Sequence, residues 1–105
     1  MKQYDVKLGT WSLLSQGNSS SIGIKREINR AQEEAKYRKH NHEDTGLSEA
    51  FYLLDGKAVL HVNETKIVLE KSKIVVVEPH EEHQLVKPAN SHMDILVIAF
   101  KEIKI

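Results

Sequence analysis

Cysteine is absent from this chain. That excludes disulfide staples and thiolate metal ligands, and leaves histidine, aspartate and glutamate as the strong metal-binding side chains. Neither charge dominates either: 15 Lys and Arg balance 15 Asp and Glu, with no long block of one sign. The electrostatic footprint of a nucleic-acid binder is therefore missing, and DNA and RNA are not expected partners. The N-terminal MKQYDVKLGTWSLLSQG lacks the continuous apolar core of a signal peptide, and no window approaches the roughly 18 uncharged residues of a membrane span. A soluble cytoplasmic protein with no membrane partner is expected. There is no Gly-rich phosphate loop and no nucleophile beside an evident general base, so nucleotide binding and covalent catalysis have no support.

What is present is a β rhythm. At 105 residues the expected organisation is one domain spanning residues 1–105. From Ser48 onward, short apolar or alternating runs follow one another: SEAFYLL, KAVLHVN, KIVLE, KIVVVE, HQLVK and MDILVIAF. Asp55-Gly56 is a hairpin signal, because glycine takes the positive φ of tight turns, and Asn63-Glu64 predicts the next reversal. Upstream, SIGIKREINR and EEAKYRKHNH read as strands, with SQGNSSS at 15 to 21 as a flexible connection. KIVVV and ILVIAF are apolar on both faces, which predicts strands covered by a second layer or by a partner subunit. No long helix is offered to do the covering. A rolled barrel of about eight to ten strands is the economical all-β solution, since rolling removes most edges.

The chemistry concentrates in a few of the six histidines. On a strand, residues two apart share a face, so His40 and His42 can converge on one cation. Glu49 opens the next strand on the face of Phe51 and Leu53, where an unpaired charge would be costly, and a hairpin would bring it beside them. Glu43 and Asp44 compete as the oxygen ligand. His83 shares a face with Leu85 and supplies a further inward candidate. His80 lies in a turn, exposed or at the pocket mouth, and His61 and His92 have no partner at chelate spacing. Arg38, on the face of His40 and His42, is a candidate clamp for a substrate carboxylate, phosphate or enolate oxygen. Tyr37 and Tyr52 point away by parity, and Glu82 and Gln84 reach at most the rim.

From His40 to His83 the chain resembles the cupin superfamily. The resemblance rests on H-x-H, then Glu49-AFYLLD-Gly56 matching an E-x6-G pattern, then a spacer over residues 57 to 71 and a second motif ending in His83. It covers residues 30 to 100. The connection from His42 to Glu49, residues 43 to 48, is longer than usual in that family. Glu34 stands where the family has its opening glycine, and Ser72, Glu78 and His80 replace the second motif's glycines and proline.

The resemblance implies a jelly-roll β-barrel (a double-stranded β-helix) that commonly forms a homodimer. It also implies one divalent transition metal held by His40, His42, Glu49 and His83. Three imidazoles and one carboxylate suit Fe, Mn, Ni, Co or Zn. The expected function is that of a metal-dependent enzyme, an oxidoreductase of dioxygenase type or an isomerase, acting on a small oxygen-rich molecule. The alternative is a barrel that binds or senses a sugar or organic acid without converting it.

Overall fold

The computed structural model describes residue 1, residues 3–13 and residues 22–101. Among them the chain forms nine strands: β1 Ser12–Leu13, β2 Gly23–Asn29, β3 Ala35–Lys36, β4 Ser48–Gly56, β5 Val59–Val62, β6 Thr65–Val68, β7 Ile74–Val77, β8 His83–Lys87 and β9 Met93–Phe100. They lie in two antiparallel sheets, in the order β1-β2-β9-β4-β7 and β3-β8-β5-β6. The expected all-β architecture and strand number are met. Among the described residues no helix is long and apolar enough to cross a membrane. The serine-rich 15 to 21 connection lies outside the described residues.

Alternation decides which side chains go inward. Along β9, Met93, Ile95 and Val97 are buried while Asp94, Leu96 and Ile98 are only half covered. Register carries this face across the sheet: Ile95 pairs with Leu53 and Val97 with Phe51. From the other sheet, Leu60, Val62 and Leu85 complete the core. Each fully buried residue of this kind contributes roughly 1.5–3 kcal/mol relative to exposure. The outward residues of β7 are uncovered, with Ile74 58% and Val76 45% exposed. No second layer of the described chain packs over them.

Two turns were anticipated, and they differ. Asn63-Glu64 is a tight hairpin, Val62 pairing with Thr65 and Asn63 taking φ 51°. Asp55-Gly56 is not a hairpin. β4 continues through both residues as a partner of β9, with a bulge between Leu53 and Asp55, and the chain then crosses into the other sheet at Lys57–Ala58. Gly56 is needed there for another reason. Its φ is +82°, and a Cβ would lie 2.0 Å from the His92 carbonyl oxygen.

The EEAKYRKHNH segment is strand only at Ala35–Lys36. Tyr37 N donates to Leu85 O, yet the next bridge joins His40 to His83. Three steps on one side thus match two on the other, so the edge carries one extra residue, as in a β-bulge. The insertion changes which side chains face inward, and it does so beside the histidines.

Candidate metal centre

His40, His42, Glu49 and His83 come together inside the barrel, one ligand atom from each lying within 4.8 Å of all the others. Each arrives by a different route. His83 opens β8 facing inward opposite Val62. His40 and His83 exchange backbone hydrogen bonds of 3.0 and 2.9 Å, which fixes the two imidazoles with ring centroids 4.5 Å apart. His42 N donates to Pro79 O at 2.9 Å, so the H-x-H pair is held by bridges to two different places rather than by one regular strand.

Sequence pattern predicts that Glu49 returns across a hairpin, and it does not. β4 pairs with β7 and β9, so its carboxylate crosses from one sheet to meet histidines held on the other. The turn over residues 43–46 makes the crossing, with Gly46 at φ +70° and its N–H on His42 O. Glu43 and Asp44 ride on that turn, exposed. Glu49 is the carboxylate in the cluster, its side chain 6% exposed beside His83 at 2%.

Tautomers follow from backbone carbonyls, which only accept hydrogen bonds. His40 Nδ1–H donates to Arg38 O at 2.9 Å and His83 Nδ1–H to Glu81 O at 3.1 Å. In the neutral ring, Nε2 then carries a lone pair. Those Nε2 atoms lie 3.7 Å and 2.9 Å from Glu49 Oε1, which His42 Nε2 also contacts. Lone pairs aimed at a carboxylate repel unless a proton or a cation lies between them. Backbone groups that orient ligand imidazoles in this way are a regular accompaniment of metal sites. The donor set fits a divalent transition metal.

The carboxylate and imidazoles shift one another's protonation. Burial pushes the Glu49 carboxyl up, but His83 and His42 outweigh it and hold it below its ordinary value. Burial works against protonated His83 too, yet the hydrogen bond to Glu49 raises it overall. For His40, burial and the neighbouring imidazoles prevail over the Arg38 carbonyl and Glu49, and its pKa falls.

The cluster opens into a cavity of about 430 Å³, lined also by Trp11, Lys25, Glu27, Tyr37, Arg38 and Phe51 among others. Arg38 is exposed and lines the cavity at its edge. Tyr37 was expected to point away and does not: the bulge turns it inward, and its hydroxyl accepts from Asn29 Nδ2 at 3.2 Å. Glu82 and Gln84 do not line the cavity, since Gln84 Nε2 is tied to Tyr37 O at 2.9 Å. Tyr52 faces outward. His80 is exposed, His61 lies on the outer face, and His92 bonds Asp55 at the surface. Trp11, Lys25 and Glu27 carried no sequence signal that singled them out. The inward parity of Lys25 and Glu27 on β2 was the only available one.

The Cupin domain family model matches residues 29–99. No curated protein matches the chain in sequence. Among solved structures, a cupin protein from Bacteroides fragilis is 18% identical, with a TM-score of 0.67 over 100% of this chain and 85% of that one. A cupin superfamily protein from Desulfitobacterium hafniense is 17% identical, with a TM-score of 0.61 over 89% of this chain and 77% of its own. KdgF from Halomonas sp. is 15% identical, with a TM-score of 0.57 over 85% and 76% respectively. At these identities the likeness concerns the fold.

Proposed function

Because this chain belongs to the cupin family, we propose that it is a metal-dependent enzyme. In this reading His40, His42, Glu49 and His83 hold one divalent cation, and the cavity receives a small oxygen-rich substrate. One observation carries it: two imidazoles, tautomer-locked by backbone carbonyls, aim their free nitrogens at a buried carboxylate. When bound, the cation supplies Lewis acidity, and redox chemistry if it is iron or manganese. The chain's own residues orient and enclose. Phe51, Leu85 and Val97 line the cavity with apolar surface, which lowers the local dielectric and strengthens every polar contact made there. Arg38 offers a guanidinium for an anionic oxygen of the substrate.

The reaction is an oxygenation or an isomerisation of that substrate. The test is to load the purified protein with Mn, Fe, Co, Ni or Zn and follow a panel of small hydroxy and keto compounds by NMR, with and without dioxygen. Conversion that disappears in Glu49→Gln supports the enzyme. Saturable binding with no conversion over hours replaces it with a sugar-binding or acid-binding barrel.

The same reading includes a homodimer. Its support is the outward side of the five-stranded sheet, where exposed Ile74 and Val76 adjoin Tyr52, Ala50 and, across β9, Leu96 and Ile98. A contiguous apolar face of this kind is characteristic of association surfaces.

A further inference from the structure

One wall of the cavity plays no part in holding a metal. Gly9, Trp11, Lys25 and Glu27 line it, and all four lie outside the residues 29–99 that carry the family match. The N-terminal segment is laid against β2 by a parallel bridge between Leu8 and Arg26 and by Gly9 N donating to Arg26 O at 2.8 Å.

Register places it relative to the histidines. Lys25 pairs with Val97, and Val97 with Phe51, so these side chains make one inward row across β2, β9 and β4. Glu49 occupies the adjoining row, opposite Ala99, and the Phe51 ring centroid is 5.9 Å from that of His83. With neighbouring strands about 4.8 Å apart, the Lys25 backbone stands roughly 10 Å from that of Phe51. A small molecule held at the histidines therefore reaches the Lys25 side chain.

Lys25 and Glu27 are half-buried, and among the described residues neither has an ion-pair partner. The Lys25 ammonium lies 5.1 Å from the centroid of the Trp11 ring, an orientation that steadies a cation without neutralising it. The Glu27 carboxylate lies against Gly9, where a Cβ would be 3.8 Å from its Oε2. With a divalent cation in place, Lys25 and Arg38 together with the metal outweigh Glu49 and Glu27, and the cavity favours anions.

We infer that Lys25 determines specificity by receiving a substrate carboxylate, and that the substrate is a small hydroxycarboxylate. Its hydroxyl oxygens lie toward the histidine cluster and Glu27, and its carboxylate on Lys25 beside Trp11. The assignment of the hydroxyl end rests on the metal reading above; the carboxylate end does not.

The test is calorimetric titration of the zinc-loaded protein, and separately of the metal-free protein, with glycolate, glycerate and gluconate, each beside its uncharged primary amide. At least one acid saturates the loaded protein, with its amide binding about tenfold more weakly or worse. Lys25→Met, which keeps the apolar stem over Trp11, lowers that acid's affinity about tenfold with zinc content unchanged. Lys25→Arg restores it. Equal binding by Lys25→Met and wild type, amides as tight as acids, or no binding by any of the three acids overturns the inference. If the wild type holds none of Mn, Fe, Co, Ni or Zn, the metal reading fails instead, and the acid-to-amide ratio and the Lys25→Met effect in the metal-free protein still decide the role of Lys25.

Discussion

His40 and His83 form a hydrogen-bonded antiparallel pair, each backbone N–H donating to the other's carbonyl. Two imidazoles from distant parts of the chain are thereby set 4.5 Å apart by main-chain geometry. The ligand spacing is thus built into the barrel wall, so the proposed site is preorganised and loses little side-chain freedom on taking up a cation.

Removing a ligand should remove the metal. His42→Ala and His83→Ala are expected to purify with well below one equivalent of metal, while His61→Ala, altered on the outer face, keeps the wild-type amount. Elemental analysis reads this directly. Thermal unfolding supplies an independent check, because a cation at 100 times its Kd stabilises the native state by about 2.7 kcal/mol, and the two ligand variants should gain none of it.

As pH falls toward 6.5 from above, acid should act in opposite directions on the metal-free and loaded protein. The pKa of His83 is raised above 6.5 in the folded state. In the metal-free protein its stabilising contribution is therefore full below 6.5 and is lost as pH rises through the raised value. That of His40 is lowered, so its protonation opposes folding, and stability is lost as pH falls from 6.5 toward its folded value. Metal-free stability should peak near 6.5 on these two groups. The loaded protein requires neutral imidazoles, so its metal affinity begins to fall while pH is still above 6.5. Denaturant midpoints across pH, with and without metal, separate the slopes; parallel curves would contradict the assignment.

Gly56→Ala and Gly46→Ala should differ in cost. Both glycines have positive φ, but an added Cβ at Gly56 meets the His92 carbonyl oxygen at 2.0 Å, whereas at Gly46 the nearest atom is Lys101 Cε at 3.6 Å. The first variant is expected to lose more than about 3 kcal/mol or fail to fold, and the second about 1 kcal/mol. Urea unfolding of the two measures the difference.

Charging the outer sheet face should dissociate the proposed homodimer. Val76→Lys and Ile98→Lys change outward positions and leave the buried core untouched. Sedimentation is expected to give a dimer for the wild type and monomers for both variants, with zinc binding retained. A monomeric wild type at tens of micromolar would end the homodimer proposal.

Much of this protein could be read from residue order. Alternation in β9 and β4 follows from local chemistry, because neighbouring side chains on a strand point to opposite faces and the apolar set must go inward. The identities of Glu49 and His83 were legible for the same reason, and those of His40 and His42 from their likeness to a motif, since no regular strand holds that pair. What sequence could not supply was the partner of each strand. Asp55-Gly56 looks like a hairpin locally, but pairing with β9 draws β4 straight through it, and close approach to His92 is what requires the glycine. Glu49 meets the histidines between sheets and not across a turn, a choice made by long-range pairing with β7 and β9. One extra residue between Tyr37 and His40 overturned parity and brought Tyr37 into the cavity. Lys25 and Trp11 joined the site only through register. Local pattern determined which face each residue prefers, while tertiary pairing decided which faces meet, because that depends on contacts between residues far apart in the chain.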